Sequence, residues 1–72
     1  MGKHKDEGDP VLALAEECAE VIQVITKKVR FNGDWDEIQP GTNKTRRELL
    51  TEEMDDVIYQ WERVKKVMWP YQ

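Results

Sequence analysis

Two apolar stripes of helical spacing, joined by a turn-rich segment, constrain this chain more than any other feature. Val11, Ala15, Cys18, Ile22, Ile25 and Val29 recur at intervals of 4, 3, 4, 3 and 4. Leu50, Met54, Val57, Trp61, Val64 and Met68 repeat the same intervals. That period sets each group along one side of an α-helix. Asp9-Pro10 predicts the first helix start: the carboxylate caps free N–H groups, and proline fits a first turn that needs no N–H from it. The helix runs to about Arg30, where Asn32-Gly33 signals a left-handed C-cap, with glycine as the usual residue. Thr45 and Glu48 match a capping box for the second helix, which ends near Trp69, before Pro70. Residues 31–45 carry two turn signals, Asn32-Gly33-Asp34 and Pro40-Gly41-Thr42-Asn43. A connection of this length is long for two helices, and such loops are often functional. Trp35 and Ile38 are expected to fold back onto the helices. No strand alternation and no repeat stand out. The expected fold class is all-α, with a disordered tail over residues 1–8 and a single helical domain over 9–72.

Size then decides what the hairpin must do. A chain of 72 residues holds one domain at most. Chains below about 70–80 residues rarely build enough core alone and use disulfides, metals or partner chains. One cysteine, Cys18, forms no internal bridge. Two amphipathic helices also leave apolar surface that neither can cover. The expected architecture is therefore a two-helix hairpin assembling into a helical bundle by oligomerisation, as a dimer or tetramer. No run approaches the roughly 18 apolar residues of a membrane span. The first residues lack the apolar stretch of a secretory signal. A reducing cytoplasmic setting is the expectation. With a net charge of −4 and a pI of about 4.9, nucleic-acid binding is disfavoured, because it usually leaves a basic footprint. The small cluster Lys44, Arg46, Arg47 is a weak signal against that balance.

The carboxylates are the informative feature. The first helix carries Glu16-Glu17-Cys18-Ala19-Glu20, the second Glu52-Glu53-Met54-Asp55-Asp56. On a wheel of about 100° per residue, Glu17 falls between Val21 and Val24, inside the apolar arc. Glu53 falls between Leu49 and Val64, also inside an apolar arc. Glu20 and Asp56 each lie about 60° further round, at the arc's edge. Each helix thus has an acidic pair at i and i+3 with one member set among apolar side chains. Buried carboxylates neutralise, find partners or bind metal. A hard divalent cation, Mg²⁺ above all, would resolve both the burial and the mutual repulsion. The alternative is a solvated acidic face, since 15 acidic residues in 72 produce such matches by chance. Lys27 lies about 20° from Glu20, two turns on, and could meet a polyphosphate. Lys27, Lys28 and Arg30 also fit a cationic last turn that complements the helix dipole.

Leu14-Ala15-Glu16-Glu17-Cys18-Ala19-Glu20-Val21-Ile22-Gln23, followed by Lys27-Lys28-Val29-Arg30-Phe31, resembles the first helix of MazG-like nucleotide pyrophosphohydrolases. Thr42-Asn43, Arg47-Glu48-Leu49-Leu50 and Glu53-Met54-Asp55-Asp56-Val57 resemble their second motif block. The resemblance covers about residues 12–58. It implies an all-α enzyme that hydrolyses nucleoside triphosphates, ribo- or deoxyribo-, to monophosphate and pyrophosphate. It implies Mg²⁺, or Mn²⁺, held by Glu17, Glu20, Glu53 and Asp56. It implies substrate contacts from Lys27, Arg30 and Asn43, and one of the carboxylates as general base, for which Glu20 is a candidate because the edge of the apolar arc puts both metal and solvent within its reach. Two departures stand out: the loop is longer than in many members, and typical members continue beyond the second motif. Assembly of copies would then replace the missing helices, or the protein would be a reduced relative.

The remaining residues divide between packing and chemistry. Trp61 and Cys18 lie on the stripes and are expected in the core. Trp35, in the loop, is a candidate lid or base-stacking residue. His4 has no companion ligand. The competing functional expectation is a catalytically silent helical module for oligomerisation or regulation, which the clean stripes would also serve.

Overall fold

The structure, a computed structural model, describes residues 8–71. Two helices form, α1 (Pro10–Arg30) and α2 (Arg46–Met68), and they pack against each other as a hairpin. No strand occurs among the described residues. The expected disordered tail, apart from Gly8, and His4 with it, lie outside the described residues. No helix is long and apolar enough to cross a membrane among those residues.

Both helix starts follow from their caps. The Asp9 carboxylate accepts from the Val11 N–H at 2.9 Å, with Pro10 in the first turn. The Thr45 hydroxyl accepts from the Glu48 N–H at 3.1 Å, and the Glu48 carboxylate accepts from the Thr45 N–H at 2.8 Å. These reciprocal bonds satisfy donors that a helix start leaves free. At the end of α1, the Asn32 N–H donates to the Val29 carbonyl and the Gly33 N–H to the Lys28 carbonyl. That pair is a Schellman motif. The left-handed residue in it is Asn32, at φ 50°, and not Gly33.

Gly33 serves a different purpose. A side chain there would collide with the Arg46 guanidinium. Arg46 is buried and ties the loop together. Its Nε donates to Gln39 Oε1 at 3.0 Å, and its Nη1 donates to Glu37 Oε1 at 2.7 Å and to the Asp34 carbonyl at 3.4 Å. The backbone adds Gln39 N–H to Lys44 carbonyl, Arg46 N–H to Glu37 carbonyl and Arg47 N–H to Trp35 carbonyl. Between Gln39 and Thr42 the chain reverses through Pro40 and Gly41, the latter at φ 85°. Proline followed by a left-handed glycine is the signature of a type II turn. The connection is thus an ordered unit. Trp35 does fold back and is half-buried, with Lys28 Nζ 4.9 Å from its ring centre. Ile38 pairs its backbone with Thr45 but leaves its side chain exposed.

The seam takes in none of the α1 stripe and only part of the α2 stripe, where Val64 is buried and Leu50 and Val57 are half-buried. The inward face of α1 is Leu14, Glu17, Val21, Val24 and Lys28, roughly 100° around the helix from the stripe. On α2 the most buried residues are Arg46, Gln60 and Val64. Val64 is the only buried hydrophobic residue among those described, and Gln60 is the most completely enclosed side chain. Every member of the α1 stripe is exposed, with Ile22 at 63% and Val29 at 70%. Met54, Trp61 and Met68 are exposed on α2. Two expected core residues are therefore corrected. Cys18 is an exposed thiol. Trp61 lies on the surface, edge-on to Trp69 at 6.5 Å. The reason is that the hairpin contact uses the edge of each wide apolar arc, where the carboxylates interrupt it.

Gly33→Ala should destabilise the fold by about 1–3 kcal/mol, as overpacking a filled site does. The guanidinium cannot retreat without giving up Gln39 and Glu37. The measurement is a shift in urea midpoint at constant slope; a midpoint equal to the parent's would show that Arg46 moves freely.

Candidate metal centre

Glu17 and Glu20 lie one turn apart on α1, so their side chains leave the helix on neighbouring azimuths. Glu53 reaches the same point from α2. One carboxylate oxygen from each of these three residues lies within 4.8 Å of the others. Oε2 of all three is buried and takes no hydrogen bond. Glu17 is only 5% exposed. Buried, unpaired carboxylate oxygens are costly, and a native fold retains them where something else completes their coordination.

The charge state reflects the crowding. Burial pushes the Glu17 carboxyl up to about 7, helped by a hydrogen bond to Glu20 and by the charges of Glu20, Asp56 and Glu16. Burial likewise pushes Glu53 up to about 7, helped by a hydrogen bond to Glu20 and by the charges of Glu20, Asp56 and Glu17. Without a cation, the crowded carboxylates favour the protonated forms of Glu17 and Glu53. Asp56 is half-buried and within electrostatic reach, but it supplies no atom to the three-oxygen cluster.

The donor set fits a hard cation. Mg²⁺ prefers oxygen ligands and spans about 4.2 Å between opposite ones. Three carboxylates from the two helices match that reach after small side-chain movements. They would also leave positions for water and substrate oxygens.

A cleft of about 210 Å³ opens beside the cluster. Glu20 and Glu53 belong to both. Val24, Leu49 and Pro40 give it apolar walls, and Lys27 contributes its only cationic side chain. Gln39 and Thr42 line it from the loop, and Gln23 from α1. Of the expected substrate contacts, the structure brings Lys27 to the cleft. Arg30 is exposed at the end of α1, and Asn43 is exposed in the loop next to Thr42; neither lines the cleft. Trp35 lies under Lys28, away from it. Gln39 escaped the sequence reading because no periodicity marks a loop glutamine. The available signal was its place just before Pro40-Gly41, where the chain turns back toward the helices.

The small basic cluster carries no free basic face. Lys44 pairs with Glu52, Arg46 with Glu37 and Arg47 with Asp36. Comparison with family models, curated proteins and solved structures matched nothing to this chain.

The sign of the pH dependence follows from the raised carboxyl groups. Their folded values, about 7, exceed the ordinary glutamate value of 4.5. The stability they contribute is therefore complete below about 4.5 and is lost as the pH rises through about 7. Asp36, Glu37 and Glu48 shift the opposite way, so their contribution is lost only at lower pH. In EDTA, Tm followed by circular dichroism should fall between about pH 5 and pH 8, and Glu17→Gln should flatten that slope. A parent Tm that rises across this window would contradict the assignment.

Proposed function

We propose that this chain is a Mg²⁺-dependent nucleoside triphosphate pyrophosphohydrolase that works as a homo-oligomer. The observation that carries the reading is the set of three buried, unpartnered carboxylate oxygens on two helices, beside a cleft that holds a lysine. The MazG-like pattern of the two acidic motifs supports it, since Glu17, Glu20 and Glu53 meet in space. Asp56 completes the proposed metal set from its half-buried position. Mn²⁺ has the same ligand preference and is an acceptable substitute. A cytoplasmic location goes with the reading, because nucleotide pools and a free thiol at Cys18 both suit it.

The reaction is water attack on the α-phosphorus of a (d)NTP. A bond forms from the water oxygen to that phosphorus, and the bond to the α–β bridging oxygen breaks. The products are (d)NMP and pyrophosphate. The bound cation would supply charge neutralisation and a template for the phosphate oxygens. Glu17 and Glu53, anchored among apolar side chains, hold the ligand geometry. Glu20, half-buried and lining the cleft, takes the proton from the attacking water. Lys27 offsets charge on the departing pyrophosphate. Arg30 and Asn43 serve the part of the nucleotide that extends beyond the cleft.

Pyrophosphate release from a panel of NTPs and dNTPs, in Mg²⁺ and in EDTA, tests this directly. Parent protein should release pyrophosphate only with the metal, and Glu20→Gln and Glu53→Gln should each lose at least about 100-fold, within the range of general-base and charge-stabilising groups. Equal rates in both variants would refute the assignment.

The exposed stripes favour assembly. A second copy laid against Ile22, Ile25, Ile58 and Met54 would complete a four-helix bundle, the geometry helical pairs commonly adopt. Light scattering should give a dimer or tetramer for the parent and a smaller species for Ile22→Lys. A folded parent monomer would sink the assembly claim. The same stripes also suit a catalytically silent oligomerisation or regulatory module. That reading requires Glu17→Ala and Glu53→Ala to keep the assembly and gain stability, with no loss of Mg²⁺ affinity.

A further inference from the structure

We propose that the divalent cation is also the staple that joins α1 to α2, so that the hairpin closes when the site is loaded and loosens when it is not. This rests on the cation binding proposed above and not on the nucleotide chemistry.

The carboxylates that would hold the ion come from both helices, Glu17 and Glu20 from α1 and Glu53 from α2. An ion that takes one oxygen from each therefore ties together two segments far apart in sequence. The apolar contact available for that task is thin. Val64 is the only buried hydrophobic residue among those described, and the apolar stripe of α1 lies outside the seam. Little of the apolar burial that ordinarily joins a helix pair is therefore present. The loop network does not substitute for it. Arg46 holds Gln39, Glu37 and the Asp34 carbonyl, while Lys44 and Arg47 pair with Glu52 and Asp36. These bonds fasten the loop to the start of α2, and none of them reaches α1. The Lys65–Glu62 pair lies within α2.

Against this thin contact stands a repulsion. Each of the three carboxylates has an oxygen within 4.8 Å of the others. Unit charges that close repel strongly when removed from water, and the force pushes α1 away from α2. Glu17 is 5% exposed, and its Oε2, like that of Glu20 and of Glu53, is buried with no partner. Parting the helices would hydrate these oxygens, so their burial favours the open state. A divalent cation reverses both effects. It gives each oxygen a ligand bond, and it sets a double positive charge against the three carboxylates. A proton neutralises one carboxylate and bridges at most two oxygens. Monovalent salt screens the charges and leaves the oxygens without ligands. Cation binding in this seam is therefore folding free energy, as in small domains whose metal site forms only with the fold.

The test is thermal unfolding followed by circular dichroism at about pH 8, where glutamates are ordinarily ionised. Parent protein is compared in EDTA, in Mg²⁺ and in choline chloride of equal ionic strength, beside the double variant Glu17→Gln/Glu53→Gln. Mg²⁺ should raise the parent Tm by about 10–20 °C over choline chloride, the shift expected at about 100 times the dissociation constant for a domain of this size. The double variant should melt above the parent in EDTA and ignore Mg²⁺. That gain separates a staple from a ligand that merely binds the folded state. Should the variant fail to fold, hydrogen exchange in the parent takes its place: exchange around Glu17 and Glu53 should be fast in EDTA and in choline chloride, and at least about tenfold slower in Mg²⁺. A parent as stable or as protected in EDTA as in Mg²⁺, a shift that choline chloride reproduces, or a variant that still responds to Mg²⁺ overturns the staple. Where calorimetry shows Mg²⁺ bound in those cases, the nucleotide reading stands. No Mg²⁺ bound by calorimetry overturns both. A full Mg²⁺ shift without pyrophosphate release keeps the staple and removes the enzymatic reading alone.

Discussion

The contact on which the rest depends is the meeting of Glu17, Glu20 and Glu53 in the seam of the hairpin. Helix pairs usually join through their most apolar faces, because water released from that surface is the main driving force. Here the seam carries carboxylates and a glutamine, with Val64 enclosed and the other valines and leucines only half-covered around them. Such a seam holds together when its acidic groups are protonated or when a cation joins them. The same groups that make the site chemically capable make the isolated hairpin marginal.

That choice displaces the apolar stripes to the outside. Ile22, Ile25 and Val29 on α1, and Met54, Ile58 and Trp61 on α2, face solvent in the single chain. Contiguous apolar patches of several hundred Å² commonly mark interaction sites, which is the ground for the assembly proposed above. The hairpin has two unlike sides: a polar seam holding the carboxylate cluster and an exterior with exposed apolar side chains. Under the assembly proposed above, the core missing from the seam would form between copies. Such an assembly would keep the carboxylates away from the apolar contact, where removing them from water would be costly.

Much of this was legible in the sequence, for local reasons. Asp9-Pro10 and the Thr45–Glu48 pair set both helix starts through short-range hydrogen bonds that depend on little beyond neighbouring residues. Helical periodicity set Glu17 and Glu53 apart from Glu16 and Glu52, and they proved to be the inward ones. The choice of seam was not legible. Both apolar arcs are wide, and which edge meets the other helix depends on the loop. That loop is shaped by Arg46, which read as one member of a weak basic cluster; nothing local signals that a guanidinium will be enclosed by Gly33, Glu37 and Gln39. Gln39 was invisible for the same reason, because its position comes from a hydrogen bond to Arg46, seven residues further along the chain. The misplacement of Trp61 and Cys18 follows from the seam as well, since both lie on stripes that are apolar yet turned outward.

Cys18 gives that outward turn a practical meaning. It is the chain's single thiol, and it lies mid-stripe, on the side of α1 away from the carboxylates. A hairpin on its own leaves this sulfur open to alkylation, whereas a chain packed over the stripe shields it. The thiol would thus report the proposed assembly from a position where labelling leaves the seam undisturbed.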